Sequence, residues 1–205
     1  MQCRRLFLLG AVLCACFFMP LRLCGQTARF SLAEENTFLP GRLEAGLNAA
    51  YHFSKLKSPS NITLLNHSIS VNAYGGFWLT RWLMVGGEYS QSFTKPEVAL
   101  MQDLHLSEVG GLIKINFTPD TFPSQYIMLG VGRKMWEYQI QLADKQTGNL
   151  LYYRLALGVE GSSFTHLLWG AQWRLTYTPE TEMGRFVRQS SKWENALSLY
   201  LALRF

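Results

Sequence analysis

From Leu43 to Phe205 the sequence alternates apolar residues with small or polar ones in eight successive runs, each of about ten residues and each followed by a turn or a polar loop. Successive side chains of a β-strand point to opposite faces, so this period of two predicts strands with one apolar and one polar face. In the last run the apolar positions are Leu197, Leu199, Leu201, Leu203 and Phe205, and the positions between them are Ser198, Tyr200, Ala202 and Arg204. The sequence therefore predicts an all-β protein with eight antiparallel strands in an up-and-down barrel.

The connections between the runs alternate in length. Short connections lie near Thr80, at 119–124 and at 161–164, whereas longer and more polar ones lie at 55–65, 91–103, 143–149 and 178–192. Short turns at one end and long loops at the other are typical of transmembrane barrels, in which the short turns face the periplasm. An even number of strands then places both ends of the barrel chain at the short-turn side.

The position of the aromatic residues indicates which face meets lipid. Alternation alone also fits a soluble calycin-like barrel with its faces reversed. Here aromatic residues lie toward both ends of the runs and aliphatic residues lie between them, as on the exterior of a transmembrane barrel. We therefore predict an eight-stranded antiparallel transmembrane barrel with a membrane girdle. Its members are Trp78, Trp82, Phe117 and Tyr126 at the short-turn ends, and Tyr89, Trp136, Tyr153, Tyr177 and Trp193 at the long-loop ends.

The opposite face carries equal numbers of acidic and basic residues, interleaved with glycine and serine. They are Glu44, Glu88, Glu108, Glu160, Lys114, Arg154, Arg174 and Arg204. An isolated charge in a low-dielectric interior costs several kcal/mol, so we expect these residues to pair with one another. An eight-stranded barrel is only wide enough for side chains to fill its interior. The sequence therefore predicts a lumen ion network and no open pore.

The fifth run, at 126–140, departs from strict alternation. Ile127, Leu129 and Val131 share one face, but the pattern breaks near Arg133 and Lys134. One extra residue in a strand exchanges its two faces, so we predict a β-bulge at this point.

The first 28 residues have the layout of a targeting segment rather than of a barrel strand. Arg4 and Arg5 precede an apolar stretch from Leu6 to Met19 and then a polar stretch around Gly25, as in a cleaved signal peptide. The apolar stretch is shorter than the about 20 residues that a spanning helix needs. We predict a signal peptide at 1–28, an N-terminal periplasmic segment at 29–42 and the barrel at 43–205. A lipoprotein signal at Cys16 is the alternative, although the apolar run continues past it.

Charge and cysteine content exclude several classes of function. The chain carries 19 basic and 14 acidic residues, but three of the basic ones lie in the first 28 residues, which leaves 16 against 14. A near-neutral chain lacks the clustered basic face that nucleic-acid binding needs. All four cysteines lie in the first 28 residues, so the mature chain would have no disulfide, no thiolate metal cluster and no cysteine nucleophile.

Three segments carry a resemblance to a known family. The strand from Trp193 to the terminal Phe205, the hairpin from Leu79 to Tyr89 and the segment from Tyr126 to Gly132 resemble the small outer-membrane β-barrels of Gram-negative bacteria, of the OmpA, OmpX, OmpW and opacity-type porin kinds. The resemblance implies secretion to the periplasm and insertion into the outer membrane. It implies outer-membrane lipid and lipopolysaccharide, periplasmic chaperones and the barrel-assembly machinery as partners, with Phe205 as the assembly signal. It implies no cofactor and no nucleic acid.

Some members of that family modify lipid A, which makes the polar residues candidates for catalytic groups. His52 and Ser54 form a His-x-Ser pair, but alternation places both on the lumen side, whereas a lipid deacylase must present them to lipid. The other histidines, His67, His105 and His166, have no spacing that suggests a metal site. We predict neither a catalytic nor a metal site.

These observations favour a non-enzymatic outer-membrane barrel with a side-chain-filled lumen and a structural or surface-interaction function. Two alternatives stay open. Met84, Leu112 and Leu168 lie on the otherwise polar face, where they could line a narrow channel or a binding site for small hydrophobic molecules. A lipid A-modifying enzyme is the second alternative.

Overall fold

The computed structural model describes residues 41–205 except 54, 94–100, 120–122, 141–144 and 163–165, and it describes only the backbone at 101–103 and 140. The predicted signal peptide and nearly all of the segment at 29–42 lie outside the described residues. Within the described part of the chain, no helix is long and apolar enough to cross a membrane.

The described residues form twelve β-strands. They are β1 (Leu43–His52), β2 (Leu56–Lys57), β3 (Thr63–Leu65), β4 (Ser68–Trp78), β5 (Leu83–Phe93), β6 (Met101–Asn116), β7 (Ser124–Ile140), β8 (Gln146–Ser162), β9 (Leu167–Tyr177), β10 (Glu182–Met183), β11 (Val187–Gln189) and β12 (Trp193–Arg204). Eight of them close into a barrel in the order β1-β12-β9-β8-β7-β6-β5-β4. All neighbouring strands of the barrel are antiparallel. This confirms the predicted eight-stranded antiparallel barrel.

The barrel closes where the first strand meets the last. β1 pairs on one side with β4, from Leu43 opposite Phe77 to His52 opposite Ser68, and on its other side with β12, where Glu44 lies opposite Arg204. Closure gives every barrel strand a paired neighbour on both sides, and strands in lipid require such closure.

Inside and outside alternate along every barrel strand, as the sequence predicts. In β12, for example, Leu199 faces outward and is 70% exposed, whereas Arg204 faces inward and is 1% exposed. Large apolar side chains therefore cover the exterior, and examples are Leu43, Leu47, Ile69, Val109, Ile113, Leu129, Val131, Leu201 and Leu203. The interior holds charged, polar and aromatic groups.

The predicted bulge at Arg133 and Lys134 is wrong. The β6–β7 register runs without interruption from Asp103 opposite Gln139 to Asn116 opposite Tyr126, and the β7–β8 register is continuous as well. Alternation holds, but the chemistry of the two faces changes toward the long-loop end. There the interior side chains of β7 are aromatic and several exterior ones are polar. In the sequence this exchange of apolar and polar positions looks the same as the insertion of one extra residue.

The two long connections at 53–67 and 178–192 are more ordered than polar loops. They contribute β2, β3, β10 and β11, which form a four-stranded antiparallel sheet in the order β10-β11-β2-β3, here called the loop sheet. Its apolar side chains join residues of β6, β7 and β8 in one buried cluster, here called the loop-end core. This core consists of Leu56, Leu64, Leu65, Leu104, Leu106, Trp136, Tyr138, Leu150, Met183 and Val187.

Three of the nine predicted girdle residues do not face outward, so the prediction is wrong for them. Trp78, Tyr126 and Trp136 are buried inside the barrel. Each has a physical reason to be there: Trp78 Nε1 donates to Glu44 Oε2 at 3.0 Å, the Gln172 amide nitrogen donates to Tyr126 Oη at 3.0 Å, and the Trp136 ring stacks on Tyr138.

The other six predicted girdle residues lie on the exterior. Trp82, Tyr89, Phe117, Tyr153 and Trp193 are exposed and Tyr177 is half-buried. Tyr177 is flanked by Tyr153 and Trp193, with ring centroids 6.5 and 4.7 Å away. Their function as a membrane girdle stays a prediction.

Candidate functional site in the barrel interior

The barrel interior contains two separate ion clusters. The first lies toward the short-turn end and is here called the short-turn cluster: Glu44, Lys114, Glu160 and Arg204. Lys114 Nζ lies 2.9 Å from Glu44 Oε1 and 2.5 Å from Glu160 Oε2. Arg204 Nη2 lies 2.6 Å from Glu44 Oε2 and 3.4 Å from Glu160 Oε1. Two acids and two bases thus neutralise each other in a closed ring of contacts.

Aromatic side chains complete the short-turn cluster. Tyr74 Oη donates to Glu44 Oε1 at 3.1 Å, and Tyr200 Oη donates to Glu160 Oε2 at 2.7 Å. The Lys114 ammonium also lies 4.6 Å from the centre of the Tyr126 ring, within the range of a cation–π contact. Hydrogen bonds to the remaining lone pairs are what make buried ion pairs tolerable.

The second cluster lies toward the long loops and is here called the long-loop cluster: Glu88, Glu108, Lys134, Arg154, Glu194 and His52. Arg154 Nη1 lies 2.5 Å from Glu88 Oε1, and its Nη2 contacts Glu108. Lys134 Nζ lies 3.3 Å from Glu108 Oε1 and 2.8 Å from Glu194 Oε2. His52 Nδ1 lies 2.5 Å from the other Glu194 oxygen, Oε1. The contacts form one chain across the lumen.

Arg174 belongs to neither cluster, although the sequence grouped it with the paired charges. With their amides oriented to satisfy their partners, Gln172 accepts from Arg174 Nε at 2.7 Å and Asn72 accepts from Arg174 Nη2 at 2.9 Å. No ion pair of Arg174 occurs in the part of the chain that the structure describes. Amide oxygens therefore solvate this guanidinium in place of a carboxylate.

Lys134, Glu194 and His52 are the members of these clusters that the predicted ion network omits. Strict alternation places all three on the interior face, and for His52 this was already predicted from the sequence. Lys134 is an even number of residues from Tyr126 on β7, and Glu194 is an even number of residues from Arg204 on β12. Side chains at such spacings share a face of the strand, so both belong to the interior face. The predicted bulge at Arg133 and Lys134 left Lys134 without an assigned face.

Five interior aromatic residues lie directly opposite a glycine on the neighbouring strand. The pairs are Tyr74 with Gly46, Tyr126 with Gly158, Trp136 with Gly148, Tyr152 with Gly132 and Tyr200 with Gly170. A Cβ atom built on Gly158 would overlap the Tyr126 ring, and one on Gly170 would overlap the Tyr200 ring. Each aromatic side chain therefore occupies space that the glycine of the adjacent strand leaves open, which lets large rings fit into so narrow a barrel.

One hydrogen-bonded chain in the interior has the order of a serine hydrolase triad. Ser70 Oγ lies 2.7 Å from His52 Nε2, and Glu194 Oε1 lies 2.5 Å from His52 Nδ1. Ser70 is fully buried and also lies 3.2 Å from the Asn72 amide. A nucleophile needs space beside it for a substrate carbonyl, so this geometry serves packing better than catalysis. Ser54, the serine of the pair weighed from the sequence, lies outside the described residues.

The remaining candidate residues are dispersed. His67 stacks on Tyr51, with ring centroids 5.7 Å apart, and His166 Nδ1 lies 2.8 Å from the Arg204 carbonyl oxygen. Among the residues that the structure describes, no three His, Cys, Asp or Glu side chains are grouped to hold a metal ion.

The three apolar residues that suggested a hydrophobic channel lie inside the barrel and are buried. Met84, Leu112 and Leu168 belong to one apolar cluster with seven others, which are Tyr74, Trp78, Tyr126, Met128, Ala156, Tyr200 and Ala202. These side chains fill part of the barrel interior.

A closed eight-stranded barrel with an apolar exterior and a charged interior is the architecture of small outer-membrane barrels. No family model matches the chain, and no curated protein matches it. Solved structures do match. Neisserial surface protein A has a TM-score of 0.55 at 17% sequence identity, and the match covers 80% of this chain and 99% of that one.

Two further structural neighbours have the same architecture. The N-terminal β-barrel domain of OprF from Pseudomonas aeruginosa has a TM-score of 0.56 at 12% identity and covers 81% of this chain and 98% of that one. Ail, the attachment invasion locus protein of Yersinia pestis, in complex with the heparin analogue sucrose octasulfate, has a TM-score of 0.51 at 15% identity and covers 82% of this chain and 100% of that one. The structural neighbours are thus small outer-membrane barrels, and the similarity is one of fold.

Proposed function

We propose that this protein is an integral barrel of a Gram-negative outer membrane, with a lumen that conducts no solute and a structural or surface-interaction function. The observation that carries the proposal is the filling of the lumen. The short-turn cluster, the long-loop cluster and the loop-end core follow one another along the barrel axis. A solute would have to break buried ion pairs and then displace an apolar core.

The exterior supports the placement in a membrane. Leu47, Leu199 and Leu201 each expose more than half of their surface, and they belong to a continuous apolar band around the barrel. Apolar patches on soluble monomers rarely exceed a few hundred Å², so a surface of this kind requires hydrocarbon around it. The lipids of the outer membrane are the partners that this surface would contact.

The C-terminal residue supports the proposed assembly route. The backbone of Phe205 exchanges two hydrogen bonds with Leu43, of 2.8 and 3.2 Å, which extends the seam between the first and last strands. The Phe205 side chain itself is exposed at the short-turn end. We propose that the barrel-assembly machinery reads Phe205 after secretion through the periplasm, where chaperones would hold the unfolded chain.

Two measurements test the proposal. After cell fractionation, the protein should remain with the outer membrane, and it should migrate faster on gels when unheated than when boiled, because a closed hydrogen-bond ladder resists detergent. In planar bilayers the purified protein should give no stable current steps, with an open porin in the same bilayers as the positive control. Large, long-lived steps would overturn the closed-lumen proposal.

The two alternatives have weaker support. A channel for small hydrophobic molecules needs space beside Met84, Leu112 and Leu168, which instead pack among aromatic side chains. A lipid A-modifying enzyme needs a nucleophile that reaches lipid, whereas Ser70 is buried in the barrel interior.

A further inference from the structure

The loop sheet borders a polar cavity of about 340 Å³ at the long-loop end of the chain. The cavity lies between the two long connections rather than inside the barrel. Its lining consists of Lys57, Asn61, Thr181, Arg188, Gln189, Ser190, Ser191 and Lys192. Three of these eight described residues are cations and none is acidic, so the cavity is positively charged.

Two of the cations are placed unfavourably for the free protein. Lys57 on β2 lies directly opposite Arg188 on β11, and both side chains line the cavity. Like charges at directly opposite positions of an antiparallel pair destabilise it. Glu182 lies opposite Arg188 on its other side, yet no ion pair of Lys57, Arg188 or Lys192 is found among the described residues. An anion in the cavity would relieve this repulsion.

The Arg188 side chain is held in position rather than left free. Its Nη2 donates to Asn61 Oδ1 at 2.5 Å. Asn61 itself adopts a left-handed backbone conformation, with φ of 64°, in a turn closed by the 3.0 Å hydrogen bond from its N–H to the Ser58 carbonyl. A guanidinium fixed in this way keeps its other donors available for a planar, two-point contact with a phosphate.

The cavity also lies next to the exterior aromatic residues of the long-loop end. Lys192 directly precedes Trp193, and its carbonyl accepts from the Thr178 N–H at 2.8 Å, one residue after Tyr177. Aromatic residues of this kind mark the depth of lipid headgroups. In the proposed membrane location, Lys192 would therefore be at the level of the phosphates of a surrounding lipid.

We propose that this cavity binds a phosphate group on the saccharide headgroup of a phosphorylated membrane glycolipid. The proposal rests on the proposed membrane location and adds a specific lipid site to it. Arg188 would make the two-point contact, Lys57 and Lys192 would contribute charge, and the hydroxyl groups of Ser190 and Ser191 would donate further hydrogen bonds.

Native mass spectrometry of the full chain in neutral detergent, titrated with bisphosphorylated lipid A, tests this site. At about a fivefold effect for each surface cation, Arg188→Gln should weaken binding about fivefold, and the combination with Lys57→Gln and Lys192→Gln about a hundredfold. Glu182→Gln should strengthen binding. The matched control is Lys145→Gln, because Lys145 is an exposed cation already paired with Glu137 at 2.7 Å, and this variant should bind as the original chain does.

Three outcomes would overturn the assignment: unchanged binding by the triple variant, equal weakening by Lys145→Gln, or equal affinity for fully dephosphorylated lipid A. Soluble glucosamine phosphate binding as tightly as the lipid would overturn the choice of a membrane lipid. The unheated-gel migration of every variant is recorded in parallel. If the band shift is normal but the variants bind lipid A as the original chain does, only the site is refuted. If the original chain shows no band shift, the proposed membrane barrel is refuted.

Discussion

Tyr126 lies directly opposite Gly158 in the β7–β8 pair, and its ring occupies the space that any larger side chain at position 158 would fill. The Tyr126 hydroxyl accepts a hydrogen bond from the Gln172 amide nitrogen, and its ring faces the Lys114 ammonium. One glycine thus allows a single aromatic side chain to contact both the apolar filling and the ions of the lumen.

We expect Gly158→Ala to destabilise the barrel by about 1–3 kcal/mol, the usual cost of forcing extra atoms into a packed interior. The measurement is the free energy of unfolding by urea in lipid vesicles. Gly87→Ala is the matched control, because a Cβ on that outward-facing glycine would meet only the Gly110 carbonyl oxygen at 3.4 Å. Equal stability of the two variants would contradict the assigned packing.

Lys114 is the cation that joins both carboxylates of the short-turn cluster. Replacing it with methionine leaves Glu44 and Glu160 with Arg204 as their only strong cationic partner in that cluster, so we expect a loss of about 3–5 kcal/mol. Lys145→Met removes an exposed cation and should cost no more than about 1 kcal/mol. Urea unfolding in vesicles measures both. A double variant with Glu160→Gln should recover part of the loss, because it removes the carboxylate that then keeps only the 3.4 Å contact with Arg204.

Sequence alternation is sufficient to predict the eight strands and the interior position of all eight charged residues of the ion network. Position alone does not give partners, and Arg174 is the example: it has the right parity, but amides surround it. Amphipathic aromatic residues are harder to place. Trp78 follows Phe77, and since neighbours on a strand face opposite ways only one of them can be outside. Alternation places Phe77 outside, whereas the girdle prediction, which rests on aromatic residues at the ends of the runs, places Trp78 there.

The loop sheet could not be predicted for a different reason. Its strands have two or three residues, which is too short for any period to be visible. Their pairing joins residue 57 to residue 188, and such distant contacts leave no local pattern in a single sequence. The visible signs that these connections have a buried side are their apolar residues, which include Leu56, Leu64, Leu65, Met183 and Val187.

The hydrogen-bonded chain Ser70–His52–Glu194 has either a structural or a catalytic function, and a substitution of Ser70 distinguishes the two. If it is structural, Ser70→Ala should cost about 0.5–1.5 kcal/mol of stability, the usual contribution of one hydrogen bond. The acyl composition of lipid A should be the same in cells that make the original chain, the Ser70→Ala variant or neither, which mass spectrometry of extracted lipid A measures. An acyl chain lost only in cells with an intact Ser70 would restore the enzyme hypothesis.

The loop-end core predicts that the loop sheet can be detached without unfolding the barrel. Leu56 is buried in that core, so Leu56→Asp would place a carboxylate among apolar side chains, which no nearby cation of the core compensates among the described residues. We expect proteases added to protein in vesicles to cleave the variant within 53–67 or 178–192, while the band shift between unheated and boiled samples persists. Ile62→Asp is the matched control, because Ile62 lies in the same connection but is exposed. If both variants resist cleavage, the loop sheet does not depend on this core. If Leu56→Asp loses the band shift, the core is needed to hold the barrel closed, and the prediction of an independent barrel is wrong.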